Sequence, residues 1–386
     1  MNSLLVYGSY GYTGSLLASA AVSQGWSPIV AGRDRRKVHS QAEALGLEGR
    51  TFALESAAER GRVGTETVRV AAALDDVDAV LNCAGPFVDT AEPLVEACLE
   101  TGTDYLDITG ECSVFERLRQ RDHRAREAGV TLLPGVGFDV VPTDCLAAFL
   151  ADELPTGDRL SLGIKSESTL SRGTARTALE SVGDGGVVRR NGRLLQVPAA
   201  FRTREIDFGG GPEHAVTVPF GDVVTAAHGT GLESVEVYLA VPPWASRALS
   251  LLDSAGCLCD AGPVATLLER ATDAAFDGPD ERELATDRAV VWGEVVDDTG
   301  RRARARLETP NPYALTVDAA LAASERVLGD GAANVNVDPG FQTPATAFGS
   351  DFVLELEGTR LQLLEPHDVG DSSGSDPARS RLVSDG

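Results

Sequence analysis

Short apolar runs alternate with amphipathic stretches along roughly the first 140 residues. SLLVY (3–7), SPIVAGR (27–33), TVRV (67–70), DAVLNCAG (78–85), TDYLDITG (103–110) and VTLLPGVG (130–137) read as strands. Between them lie helical patterns: about Gly14 to Gln24, RRKVHSQAEALG stopping at Gly46, AEPLVEACLETG (91–102) ending on glycine, and ECSVFERLRQRDHRAREAG. Strands alternating with helices at this pitch predict an α/β fold, a Rossmann-like doubly wound parallel sheet.

After about Asp144 the texture changes. The helical stretch CLAAFLADEL (145–154) leads into polar, alternating segments: RLSLGIK, VVRRNGRLLQV, HAVTVPF and SVEVYLAV. Asn191-Gly192 between alternating apolar residues predicts a hairpin, and a second is expected to turn at Asp298-Thr299-Gly300. These features predict a second α+β domain built on an antiparallel sheet. The expected division is 1–144 for the dinucleotide-type domain, 145–337 for a substrate or dimerisation domain, and 338–364 for a segment returning to the first. The polar stretch 365–386 is expected to be a disordered acidic tail.

Composition narrows the function classes. The 386 residues carry a formal charge of −24, with 58 acidic against 34 basic residues, and only Lys37 and Lys165 are lysines. The acids are spread along the chain, which makes a solvated, self-repelling surface. Nucleic acid is excluded as a partner because phosphates need a basic stripe. No apolar run reaches the ~18 residues needed to span a bilayer. MNSLLVYG lacks a basic n-region, so no signal peptide is expected and the cytoplasm is the expected compartment. Cysteines 83, 98, 112, 145, 257 and 259 form no C-x-x-C pair, the Cys257/Cys259 pair has no zinc-type counterpart, and the five histidines show no metal spacing. No metal is expected.

The candidate chemistry begins at LLVYGSYGYTGSLLASAA (4–21). Gly8, Gly11 and Gly14 fall where a strand ends and a helix begins. Gly8 can make the tight turn, Gly11 lets backbone approach a pyrophosphate, and Gly14 allows close helix–strand packing. Tyr10, Tyr12 and Thr13 belong to the same loop, and Thr13 can add a hydroxyl at the helix N-terminus. An NAD site usually places an acid about 20 residues past the glycines. Here the second strand ends in Arg33, beside Arg35 and Arg36, and a guanidinium suits a ribose 2′-phosphate. NADP (NADPH) is therefore favoured over NAD, with Asp34 as a complication. Asn82, Ala84, Gly85 and Pro86 end the fourth strand and are expected on the cofactor. Asp107, Glu111, Phe138, Asp139 and Asp144 end the next two strands and are candidates for substrate or nicotinamide contacts, helix capping being the plainer role. Tyr105, Asp107 and His228 are the candidate proton donors.

Together GSYGYTG, the AGR strand end, NCAGPF, TDYLDITGE and GVGFDVVPTD resemble the saccharopine dehydrogenase-like NADP-binding family. Within it they are most similar to the trans-acting enoyl reductase branch. PGFQTPATAFG (339–349) is similar to the segment by which that branch returns to its first domain, and SRGTARTALES (171–181) to the start of its second. The resemblance implies a reductase taking hydride from NADPH, with Gly8, Gly11, Gly14 and Arg33 in the family's cofactor motif. Its small-molecule substrate would be an unsaturated acyl or lipid-like chain; a homodimer is compatible with this. The apolar stretches 145–151 and 244–252, with Trp244, could line an acyl tunnel, core being the plainer role. A saccharopine-type, imine-forming dehydrogenase is the alternative, for which Arg172, Arg176, Arg189 and Arg190 could recognise two carboxylates. A non-catalytic NADP-binding protein is the third reading.

The spread of acid fits adaptation to high salt, where screening removes the repulsion. The chain is expected to unfold in dilute buffer and to gain thermal stability steadily as sodium chloride rises to molar levels. A melting series across salt concentrations checks this, and equal stability in dilute buffer would refute it.

Overall fold

The computed structural model describes residues 2–54, 70–168, 185–246, 278–329 and 337–364. Chain order in the first part is β1 (Leu4–Tyr7), α1 (Tyr12–Ser23), β2 (Ile29–Gly32), α2 (Arg35–Leu45), β3 (Gly49–Thr51), β4 (Ala79–Asn82), α3 (Phe87–Thr101), β5 (Asp104–Asp107), α4 (Cys112–Arg119), α5 (Asp122–Ala128) and β6 (Thr131–Leu133). The strands pair in parallel in the order β6-β5-β4-β1-β2-β3, the doubly wound arrangement. β1, β2 and β4 are buried at every position because helices cover both faces. The Asp34 carboxylate caps α2 by accepting from Arg36 and Lys37 N–H, and α2 stops at Gly46 in the left-handed region.

The third strand is Gly49–Thr51, not TVRV. Residues 67–69 lie outside the described residues, and Val70 opens a helical turn. β3 is an edge strand with an exposed face, so it shows no apolar run for the sequence pattern to reveal.

The second part runs α6 (Val141–Glu153), β7 (Gly157–Ser166), β8 (Gly186–Arg190), β9 (Arg193–Val197), β10 (Thr203–Asp207), β11 (Pro212–Thr217), α7 (Asp222–Thr230), β12 (Ser234–Ala240), α8 (Glu281–Thr286), β13 (Arg288–Asp297) and β14 (Arg302–Pro310). The sheet order is β10-β11-β12-β7-β13-β14. β7 and β12 pair in parallel while the other pairs are antiparallel, so the sheet is mixed and not purely antiparallel as expected. Alternation along a strand is the same in either pairing, so the pattern could not show this. Asn191 and Gly192 both have positive φ and make the two-residue β8–β9 turn. At the β13–β14 turn, Asp297 accepts from Thr299 N (3.0 Å), Arg301 N (2.9 Å) and Thr156 Oγ1 (2.9 Å).

α9 (Pro312–Val327) then leaves this sheet and packs beside α1 over β4 and β5. β15 (Gly340–Phe341) extends the first sheet beyond β6, α10 (Pro344–Phe348) and a 3-10 turn follow, and β16 (Arg360–Leu364) pairs with β14 in the second sheet. The return to the first sheet therefore begins at Pro312, earlier than the expected 338, and the chain ends its described course on the second sheet. Buried apolar residues of both sheets, from Leu5 through Leu162 and Val291 to Phe352, form one contiguous core. Residues 171–181, the helix expected beyond Ser246, Cys257, Cys259 and the tail lie outside the described residues.

α6 is buried on most sides and lies against β13. Gly293 makes this approach feasible: a Cβ there would lie 2.5 Å from Leu150 Cδ1 and 3.1 Å from Leu146 Cδ2. Gly293→Val is expected to overpack this contact and cost about 1–3 kcal/mol. Urea unfolding should show a lower midpoint with an unchanged slope.

Candidate cofactor and active site

The glycine loop is fixed by close backbone contacts. Gly8 has φ +78°, and a Cβ on it would lie 2.8 Å from Ala84 N; a Cβ on Gly14 would overlap the Gly8 carbonyl oxygen. Gly8 N–H donates to Ala31 O and Gly11 N–H to Gly8 O. α1 begins with Gly11 as its cap residue, without a side-chain cap and without an acid in its first turn. The first helical N–H groups (Tyr12, Thr13, Gly14) precede the first intrahelical bond, from Ser15 N to Gly11 O. They sit at the switch point between β1 and β4, as an anion site requires.

The two tyrosines of the loop differ in role. The Tyr10 ring packs on Gly32 and its hydroxyl accepts from Asp34 N (3.1 Å), placing it at the end of β2. Tyr12 donates to Pro279 O (2.6 Å) and meets the Tyr313 ring edge-on, with burial raising its hydroxyl to about 12. Tyr12 thus ties the loop to the second part of the chain. Ser9 and Gln41 exchange two further bonds, both 2.7 Å, a lock the sequence pattern did not signal. Arg33 is exposed at the end of β2 and has no ion-pair partner among the described residues. Asp34 caps α2 through Oδ1 alone.

The ends of β4, β5 and β6 are joined by a buried chain of bonds. Asn82 Nδ2 donates to Tyr105 Oη (3.2 Å), and Tyr105 donates to Asp107 Oδ2 (2.8 Å). Asp107 Oδ1 accepts from Thr109 N (3.0 Å) and Gly135 N (2.9 Å). Asn82 Oδ1 also accepts from Ala84 N, and Thr90 Oγ1 donates to Ala84 O. Asn82, Tyr105 and Asp107 are fully buried, and burial pushes the Asp107 carboxyl to about 6. Their polar atoms shape the crevice floor and are not presented to a ligand. This removes Tyr105 and Asp107 as direct proton donors. Ala84 and Gly85 present backbone, and the Gly85–Pro86 peptide is cis.

Around this floor the remaining candidates separate. Glu111 accepts from both Phe87 N and Val88 N (2.8 Å each) and so caps α3 from a distance. Phe138 is buried and its N–H donates to Thr316 Oγ1 of α9 (3.0 Å). Asp144 is buried and accepts from Ala345 N (2.8 Å), with burial raising it to about 6. Asp139 is open to solvent, yet desolvation lifts its carboxyl to about 6, as befits a group on a crevice wall. His228 sits against Phe341 on β15, and desolvation holds its imidazole below the ordinary value. Three strand spacings separate β15 from β4, about 14 Å, so His228 is remote from the switch point. Arg189 donates to Val223 O and Gly192 O, and Arg190 is paired with Glu236, so neither is free for a carboxylate ligand. Among the described residues no cluster of His, Cys, Asp and Glu could hold a metal ion.

The comparisons with known proteins agree with this geometry. Residues 4–133 match the family model of the saccharopine dehydrogenase NADP binding domain. A saccharopine dehydrogenase-like oxidoreductase of Bos taurus is 32% identical over 154 residues, covering 36% of this chain and 35% of the relative. A protein of Mycobacterium tuberculosis assigned as a trans-acting enoyl reductase is 32% identical over 144 residues, 36% of this chain and 33% of its own length. The chain thus spans about a third of the length of these relatives. The apo saccharopine dehydrogenase (L-Glu forming) of Saccharomyces cerevisiae shares the fold at TM-score 0.60 and 12% identity, covering 95% of this chain and 100% of that one. No helix among the described residues is long and apolar enough to cross a membrane. Residues 4–133 are thus similar to the NADP-binding domain of saccharopine dehydrogenase, and about a third of the chain to the saccharopine dehydrogenase-like oxidoreductases.

Proposed function

We propose that the protein is an NADPH-dependent reductase acting on an unsaturated acyl substrate. One observation carries the cofactor choice. Arg33 is exposed and unpaired among the described residues, while the acid beside it, Asp34, uses its Oδ1 to cap α2. A 2′-phosphate would find a free guanidinium there. The uncapped N-terminus of α1 would take the pyrophosphate.

Bound NADPH would supply hydride to an acceptor over the β4–β6 half of the crevice. The chain's own contribution is to hold the acceptor there and to provide a proton. The acyl reading is supported by the commitments of Arg189 and Arg190 to backbone and Glu236, which take that pair away from an imine dicarboxylate. Arg172 and Arg176 lie outside the described residues. The similarity to the mycobacterial protein points the same way.

Fluorescence titration in molar salt should show tighter binding of NADPH than of NADH. Arg33→Ala is expected to weaken NADPH by about ten- to a hundredfold, the worth of about 1.5–3 kcal/mol for a charged hydrogen bond, and to leave NADH unchanged. Gly14→Ala should weaken both nucleotides, because its methyl meets the Gly8 carbonyl. Loss of NADPH absorbance with a 2-enoyl thioester would support the acyl reading. Turnover only with an α-keto acid plus an amino acid would replace it by the imine reading, and tight binding without any turnover by a non-catalytic one.

A further inference from the structure

Asp222, the first residue of α7, is fully buried, and neither of its carboxylate oxygens has a hydrogen-bond partner. Thr225, one turn along the same helix, is buried with its hydroxyl unpartnered too. Buried polar atoms are nearly always paired, so two orphans on one helical face mark a site. Its place in the fold gives it meaning. Gly221 N–H donates to Gly110 O (2.9 Å), and Phe220 bridges to Glu111, so α7 starts where the second sheet is fastened to the carboxyl end of β5. On the other side of that fastening, a Cβ on Gly110 would lie 3.1 Å from Asp139 Oδ2, on the crevice wall. Asp222 and Asp139 thus flank one backbone junction over the half of the sheet that would receive the nicotinamide.

The charges around Asp222 leave it uncompensated. Asp139 and Asp144, just before and at the start of α6, repel its anion. Thr143 is adjacent, but its hydroxyl donates to Val140 O (2.9 Å). On α4, Cys112 is neutral, its thiol raised by burial to about 11, while Glu116 and Arg119 pair with each other. Arg189 of β8 is held by Val223 and Gly192 carbonyls, and Glu236 of β12 by Arg190 and Arg202. His228 lies two turns away on the same helix. A buried carboxylate without a cation or donor keeps its proton instead. Burial foremost, with Asp144 and Asp139 adding, raises Asp222 to about 8.

We propose that Asp222 is the proton store of this crevice, resting as a carboxylic acid and giving its proton, by way of Asp139, to the substrate atom that reduction leaves electron-rich. The proposal rests on the NADPH-reductase reading. With an enoyl thioester, hydride from NADPH adds at the β-carbon and the C=C pair moves into an enolate. The α-carbon then takes the proton, and Asp222, left as carboxylate, recovers one from solvent through Asp139. Atoms and charge balance as acceptor, NADPH and one proton giving reduced acceptor and NADP+.

Infrared spectroscopy of the full chain at a pH between about 6 and about 8 favours this group, because burial lifts Asp104, Asp107, Asp139 and Asp144 only to about 6 and Asp222 to about 8. A carboxylic-acid carbonyl band should be present in the wild type, absent in Asp222→Asn and retained in Asp139→Asn. Its absence from the wild type would overturn the proposal with no variant needed. Calorimetric titration in buffers of different ionisation enthalpy should then show proton release when NADP+ brings its cationic nicotinamide ring into the crevice, and none when NADPH binds. Asp222→Asn should abolish that release and, by linkage, flatten the pH dependence of NADP+ affinity, and equal release from both proteins would also overturn the proposal. Binding of neither nucleotide would defeat the cofactor reading and the crevice role together, while the band alone would still report a neutral structural acid. The linkage has a definite sign. A carboxyl raised in the folded state loses stability as pH climbs from its unfolded value of about 4 to its folded one. Asp222→Asn should therefore gain melting temperature relative to wild type as pH rises through that window, and a constant difference would contradict a neutral Asp222.

Discussion

The hydrogen-bond chain running from Asn82 through Tyr105 to Asp107 is the constraint on which the crevice depends. Each member is buried: Asn82 holds Ala84 after β4, Asp107 holds Thr109 after β5 and Gly135 after β6, and Tyr105 links the two. In a low dielectric such a chain is stiff, since any broken link leaves a polar atom without a partner. That stiffness fixes Ala84 against Gly8, and hence the width of the phosphate loop. It also fixes the 107–111 turn, from which Glu111 caps α3 and Gly110 fastens α7. The glycine loop and the start of α7 thus both take their positions from one buried hydrogen-bond chain.

The site was legible where its determinants are local. Three glycines at a strand–helix junction, and an arginine ending the next strand, lie within one βαβ unit, so glycine spacing read together with its strand–helix context was enough to single out the candidate loop. The hairpin at Asn191-Gly192 was legible for the same reason: two residues carry the whole signal. Tyr105 and Asp107 were misleading because strand ends look alike whether their side chains face a ligand or each other. Only the three-dimensional pairing shows that these polar atoms are spent.

What the sequence hid is long-range. Asp222 stands in an ordinary helix-starting position, where a first-turn acid is routine. Its setting comes from Asp139 and Asp144, about 80 residues away in sequence, with no cation paired to it among the described residues. The edge strand β3 was missed because an exposed strand needs no apolar run. The parallel pairing of β7 with β12 was missed because the direction of pairing leaves no mark on alternation.

The helix α9 has a consequence for how this protein can be divided. Its residues come from far along the chain, yet they cover β4 and β5 beside α1, and Thr316 holds the turn after β6. The family match ends at residue 133, well short of that helix. A fragment cut there would expose the apolar undersides of two central strands as one continuous sticky patch. The segment that matches the family model is therefore not a unit that can be excised.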